Sequence, residues 1–474
     1  MAVEQAPAAP VPAPRVTWRS ALNRRQWSRT FTSLQEREYA WYFAGNLAFF
    51  MGMQMQQILR GFLAYDITGN ATSLAWMAAS VAIPMLVVAP FGGVTADRVN
   101  KRTLLIVTQT VAAIASLVIA VLIITGLIEF WHLVTISFAT GLVFSFNMPA
   151  RQALVPSLVP QHKLMNAISL QMGGMNLTRI LAPAAGGLLA APLGIGWVYA
   201  ITFVLFMVAV ASEFHLPKHG MLSQNERKSF KEDFTAGFRY IAQEPTIRLL
   251  MTAALVMPLF GFPLQQLLPV FAEDVFDRGT LGLGLLAAAM GIGGLAGAMV
   301  SANLENQPYK GRLMLLGGII MGVFIIAFAA TPIFPLALVL LIAMGVGQML
   351  FQATNNTAIQ SIVPAEVRGR VMSVMMMSFG LMPLGVIPVA ILSDRIGPGP
   401  ALAISATFLF GALALLWGSS ARLRNLRLDV AEAAELSPVR AAQLVAEGKL
   451  TQEEADRMTG KVVAGRPSAL EPGR

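Results

Sequence analysis

The residues best placed to do chemistry in this chain are few and stand apart. Arg179 lies about 14 residues into an otherwise uncharged run, which on a helix is roughly 21 Å from its start. At that depth an arginine offers a fixed fork of donors to a carboxylate or catecholate, or else it ties off nearby carbonyls. Amides stand in other apolar runs: Gln54 and Gln57, Gln265 and Gln266, Asn147, and Gln348, Gln352, Asn355 and Asn356. They could read a polar ligand, or bond across helices for about 0.6–2 kcal/mol. No acidic residue lies at the middle of such a run; Asp66, Glu129, Glu273 and Asp274 stand at run ends. If a proton is carried, Asp66, Glu129, Asp274 or the substrate itself has to titrate. The sequence offers no paired carboxylates, no nucleophile with its base, and no zinc-spaced set among His132, His162, His215 and His219. It also lacks cysteine and any Gly-x-x-x-x-Gly-Lys-Ser/Thr loop. An enzyme, a metal centre, a cofactor and ATP drive are therefore not expected.

The runs that hold these residues are membrane helices by composition. The 474 residues are 55% hydrophobic and 12% charged, with mean hydropathy +0.63, against about 25% charged in soluble domains. A span needs about 20 apolar residues. Such runs predict twelve spans over 39–62, 73–95, 103–126, 130–150, 165–190, 195–213, 249–272, 281–302, 312–330, 335–356, 370–392 and 400–418. Pro84, Pro90, Pro183 and Pro263 do not veto these helices, because neighbours can satisfy the freed backbone groups. Lysine and arginine collect in the N-terminal arm and the even-numbered loops, including Arg98, Lys101, Arg102, Lys163, Lys228, Lys310 and Arg368. That alternation puts both termini in the cytoplasm of a multi-pass protein of the cell (inner) membrane. It also accounts for the net charge of +9 without a clustered basic face, so nucleic acid is not an expected partner.

The fold class expected is an all-α membrane protein of two six-helix bundles. An arm over 1–38 leads into a bundle over 39–213. A cytoplasmic linker over 214–248 carries Phe230, Phe234, Phe238 and Ile241 at helical spacing. A second bundle spans 249–419, and a soluble tail over 420–474 has helix-start signals at Ser437-Pro438 and Thr451-Gln452-Glu453-Glu454. The first 30 residues hold no apolar core of signal-peptide length. An internal repeat supports the two halves. Gln56-Gln57-Ile58-Leu59 matches Gln265-Gln266-Leu267-Leu268. Val159-Pro160 matches Val363-Pro364, and Leu193-Gly194-Ile195-Gly196 matches Ile396-Gly397-Pro398-Gly399, at offsets of 209, 204 and 203 residues. Flexible thioethers at Met51, Met53, Met55, Met372, Met375, Met376 and Met377 suit either packing or a wall that accepts several shapes.

Between the second and third runs lies Gly92-Gly93-Val94-Thr95-Ala96-Asp97-Arg98-Val99-Asn100-Lys101-Arg102, read as a tight glycine-led turn. This segment resembles the most diagnostic loop of the major facilitator superfamily. The resemblance implies a conformational latch of Gly93, Asp97, Arg98, Lys101 and Arg102. In it Asp97 meets the positive end of the eleventh helix, worth about 0.3–2 kcal/mol. Ala182-Pro183-Ala184-Ala185-Gly186-Gly187 resembles the export element of the superfamily, with Pro183, Gly186 and Gly187 in place and Ala182 where a glycine is usual. Pro149-Ala150-Arg151-Gln152 through Pro160 and Arg368-Gly369-Arg370 resemble the branch of enterobactin exporters and macrolide-efflux proteins. The expected function is a secondary active exporter of a small siderophore- or drug-like molecule. It would be a proton-coupled, monomeric antiporter whose substrate site lies between the halves. A lipid or lysolipid flippase of the same fold is the alternative.

Overall fold

The computed structural model describes residues 31–217, 238–304, 307 and 309–419. Most of the arm, most of the linker and the tail lie outside the described residues, among them Phe230, Phe234 and both tail helix-start signals. The described chain is helical. Its main elements are α1 (Arg37–Thr68), α2 (Thr72–Arg98), α3 (Lys101–Ile124), α4 (Phe130–Leu158), α5 (Leu164–Leu193) and α6 (Ile195–Glu213). They continue with α7 (Pro245–Val275), α8 (Gly279–Asn303), α9 (Lys310–Ala330), α10 (Phe334–Ile362), α11 (365–396) and α12 (Pro398–Ser419). Each apolar run read from the sequence falls within one of these helices except 103–126, which overruns the end of α3 at Ile124 by two residues. Among the described residues α3, α4, α6, α7, α8, α9, α10 and α12 are long and apolar enough to cross a membrane.

The outward faces explain why water is the wrong solvent. Val107, Val111, Ile114, Val118 and Val121 form an exposed stripe on α3, and Leu316, Ile319, Val323 and Ile326 form another on α9. Apolar faces of this extent are satisfied by lipid tails rather than by water. Trp131 and Trp197 stand exposed at the starts of α4 and α6, as aromatic anchors do at a membrane interface. The protein is an all-α, multi-pass membrane protein.

Three features depart from uniform helix. α2 runs through Gly92 and Gly93 to Arg98, so only Val99 and Asn100 separate it from α3. The expected turn over 92–102 is thus mostly helix. A helical glycine costs about 1 kcal/mol but leaves the backbone ladder intact, and the stop is made by Asn100, whose side chain accepts from Arg102 N and Thr103 N. α7 contains two wide π turns, Met257–Gly261 and Phe271–Val275. They lie beside Pro258, Pro263 and Pro269, prolines that remove ladder donors. α11 narrows to a 3₁₀ turn at Phe379–Leu381 before Pro383.

The described residues group into two compact units, one from residues 1–60 and 87–224 and the other from 61–86 and 225–474. The repeat is visible in both. Gly194 ends α5 at φ 85° and donates to Ala190 O at 2.9 Å; Gly397 ends α11 at φ 90° and donates to Ser393 O at 2.9 Å. Each is followed two residues on by a glycine that lets the next helix pack closely. A Cβ on Gly196 would stand 2.8 Å from Ile124 of α3, and one on Gly399 would stand 2.6 Å from Ala329 O of α9. Within the second unit, α10 approaches α8 and α9 almost backbone to backbone. A Cβ on Gly345 would lie 2.7 Å from Met290 O, and one on Gly347 would lie 2.7 Å from Gly317 O.

Candidate functional site

Charge in the first unit is collected around Arg151, in the last two turns of α4 and 1% exposed. Its Nε donates to Asn147 Oδ1, one turn back, at 3.1 Å, and its NH1 donates to Asn46 Oδ1 of α1 at 2.6 Å. The guanidinium lies 4.5 Å over the Phe49 ring, with Tyr42 and Phe50 at 5.9 and 5.7 Å. Its NH2 faces Glu213 Oε1, on the last residue of α6, at 3.7 Å. Gln109 Nε2 of α3 donates to that same oxygen. Tyr42 OH donates to Arg151 O at 3.1 Å, and Asn147 Nδ2 donates to Thr108 Oγ1 at 2.9 Å. One buried ion pair thus joins α1, α3, α4 and α6. Four atoms in it make no hydrogen bond: Asn46 Nδ2, Gln109 Oε1, Arg151 NH2 and Glu213 Oε2.

The network absorbs Asn147, which is fully buried with both amide ends in use, so no cavity wall carries it. A buried amide in a low-dielectric core is held by partners wherever they are in reach. In the sequence Arg151 figures only within the segment that resembles the exporter branch, and Glu213 only as the end of a span. The signal for them was Asn147 and Arg151 one turn apart on α4, a polar face pointing back into an apolar bundle.

In the second unit the polar groups line a void. A small cavity is walled by Gln348, Gln352, Asn355 and Asn356 of α10, with Met257, Phe262, Phe351 and Met375 as its apolar sides. The structure therefore brings Gln348, Gln352 and Asn355 together. Asn355 is 3% exposed and its Oδ1 makes no hydrogen bond. The remaining sequence candidates lie elsewhere. Gln265 is exposed, and Gln266 directs Nε2 at Met382 Sδ, 3.9 Å away. Gln54 is half-buried and Gln57 exposed. Their neighbour Gln56 donates to Ser116 Oγ at 2.5 Å and Thr202 Oγ1 at 2.8 Å, beside a smaller cavity it shares with Arg60 and Tyr199. Arg179 is exposed on α5. Pro183, Gly186 and Gly187 are buried, and a Cβ on Gly186 would sit 3.6 Å from Met55 of α1.

The latch divides. The side chains of Gly93, Asp97 and Arg98 lie outside the described residues. Lys101 is buried, and Arg102 donates to Phe214 O at 2.7 Å, tying the start of α3 to the end of α6. A carboxylate the sequence reading passed over does a related job within the second unit. Asp394, near the end of α11, accepts from Thr72 N at 2.9 Å and also from Ala71 N and Thr72 Oγ1. It thereby caps the start of α2. Beside it in the sequence reading stood Asp274, which takes a short bond from Tyr65 OH, and Glu129, which caps α4 and accepts from Trp131 Nε1 at 2.6 Å.

The chain matches the family model described as transmembrane secretion effector over residues 28–463. Among curated proteins it is 27% identical over 368 residues to the multidrug efflux pump Tap of Mycolicibacterium fortuitum, covering 75% of this chain and 87% of that one. It is 22% identical to the staphyloferrin A transporter of Staphylococcus aureus, covering 75% and 90%, and 25% identical to the enterobactin exporter EntS of Shigella boydii, covering 59% and 67%. Its fold is similar to a bacterial homologue of the human lysosomal transporter Spinster, with TM-score 0.67 and 14% identity over 83% of this chain and 98% of that one. With helices, repeat and family match in agreement, the chain belongs to the transmembrane secretion effectors of the major facilitator superfamily, which are membrane transporters and not enzymes.

Proposed function

We propose that this protein is a secondary active exporter that moves a small, partly apolar organic molecule out of the cytoplasm. Two six-helix bundles, 39–213 and 249–419, rock to give alternating access, and inward proton flow drives the cycle. The observation that carries the reading is the α10 wall. The cavity it walls holds about 20 Å³, room for about one water molecule, so a ligand enters only as the helices part. Its wall mixes amides with methionine and phenylalanine and includes a buried oxygen with no hydrogen bond. Such a lining pairs with ligand donors while tolerating varied apolar shapes. The multidrug efflux pump and the enterobactin exporter among its relatives support export and that breadth of substrate.

In this reading both termini are cytoplasmic and the protein works as a monomer in the bilayer. Asp97, placed at the end of α2, latches against the start of α11 when the cytoplasmic side closes. Arg179, deep in α5, engages an anionic or electron-rich group on the substrate. The test is uptake into inverted membrane vesicles of ethidium, erythromycin, a catecholate siderophore and a lysolipid, with and without a proton gradient. Gradient-dependent accumulation of one of the first three is expected. Movement of the lysolipid alone, indifferent to the gradient, would replace this reading with that of a flippase.

A further inference from the structure

We infer that Glu213, held by Arg151 and Gln109, is the residue on which the coupling proton rides. The inference rests on the proton-driven export proposed above and gives it a site. Among the described residues Glu213 is the one fully buried acid. Asp66, Glu129, Glu273, Asp274 and Asp394 are exposed, and Glu129 and Asp394 are occupied as helix caps. A proton carrier must hide its charge in one state and release it in the other, and a carboxylate closed away from solvent does that.

The bonding around Glu213 is that of a carboxylate with one oxygen in use and one idle. Oε1 faces Arg151 and takes the Gln109 amide; Oε2 is buried and makes no hydrogen bond, and neither does Gln109 Oε1. When a proton from water adds to Oε2, the group becomes a donor, and half a turn of the Gln109 amide presents an oxygen to accept it. The pair then goes from neutral to a net charge of +1. Arg151 keeps its bonds to Asn46 and Asn147 and its seat over Phe49, so the positive charge stays with α1 and α4. The tie to α3 and α6 becomes the weaker one, and a shift of those helices follows the proton.

Every charged or titratable group facing Glu213 fits this account. From α1 there is Tyr42, whose hydroxyl is committed to Arg151 O; from α4, Arg151; from α3, Gln109, with Arg102 at the helix start bound to Phe214 O. On the segment after α6, His215 stacks on Trp41 at 4.3 Å and is exposed. Glu213 is the last residue of α6, and the exposed residues Phe214 and His215 follow it, so the path for the proton is short.

The test uses full-length protein in proteoliposomes, read by infrared difference spectroscopy on stepping from neutral to acidic pH. Wild type, labelled with ¹³C-glutamate, should gain a protonated-carboxyl band that carries the isotope shift. E213Q should lose that band, and E129Q should keep it. With an imposed gradient, a probe such as ethidium should accumulate up to about tenfold per pH unit in wild type. E213Q should equilibrate the probe without accumulating it. Should E213Q fail to insert, Q109L removes the acceptor for the new hydroxyl, and the band must move to higher frequency. A band that survives E213Q, or one that Q109L leaves unmoved, overturns the inference and leaves export standing. A Glu213 band with no movement of any probe in wild type sinks the export reading and keeps the proton site.

Discussion

The two units each end a helix on a glycine of the same conformation, yet they handle polar groups in opposite ways. In the first, Asn46, Gln109, Asn147, Arg151 and Glu213 turn inward and bind one another. In the second, Gln348, Gln352 and Asn355 face a void, and the wall holds no charge. Gly293, Gly317, Gly345 and Gly347 bring the backbones of α8, α9 and α10 into contact, whereas Gly45, Gly52 and Gly174 of the first unit, like Gly318 and Gly322 of α9, receive side chains from neighbouring helices. One unit is a charge-bearing frame, the other a close-packed wall around a small cavity lined by amides.

The largest test of that contrast is to break the ion pair on one side. Arg151→Ala or Glu213→Leu alone leaves a buried charge without its partner and should cost about 3–5 kcal/mol, seen as lost thermal stability of the purified protein. The double change Arg151→Met with Glu213→Leu should recover most of it, because apolar residues of similar volume replace a buried pair at little net cost. If the single and double changes were equally harmful, the frame would be held by something other than charge. In the second unit the comparable damage comes from volume. Gly345→Leu must push α10 off α8, for about 1–3 kcal/mol or more, while Gly186→Ala meets only ordinary contacts and should be close to neutral.

A sharper comparison uses one residue type in both units. Asn147→Leu strands Thr108 and Arg151 and should destabilise by about 1–3 kcal/mol. Asn355→Leu removes an oxygen that has no hydrogen bond, so stability should hold or rise. Its effect belongs in transport, as a two- to tenfold rise in half-saturating substrate, about 0.5–1.5 kcal/mol. Equal stability losses at the two asparagines would erase the distinction between frame and wall.

These differences mark how far the sequence could be read. Runs of apolar residues announce helices because hydropathy is a local property, and each predicted span sits inside one to within two residues. The repeat was legible for the same reason: Gly194 and Gly397 need the same backbone freedom at the same place. Partnership between distant residues is not local. Glu213 looked like a boundary because nothing near it in the sequence names Arg151. Asp394 was passed over because its partners belong to the start of α2. The expected span over 73–95 already took in Gly92 and Gly93; the continuation of α2 to Arg98 was missed because the glycine pair was read as opening a turn.

Asp394 supplies the smallest and most specific prediction. Its carboxylate holds two backbone N–H groups and one hydroxyl at the start of α2, so Asp394→Ala should cost about 0.5–2 kcal/mol of local stability, as other helix caps do. In a transporter that opens and closes, a cap of that size changes populations more than folding. The chain has no cysteine, so a single Ala71→Cys gives an unambiguous reporter that leaves the Thr72 hydroxyl in place. Thiol labelling at that site should quicken several-fold when Asp394 is also changed to alanine, and should return toward the parent rate with Asp394→Asn, which keeps an acceptor oxygen. Labelling that ignored both changes would mean that the start of α2 is fixed by packing alone.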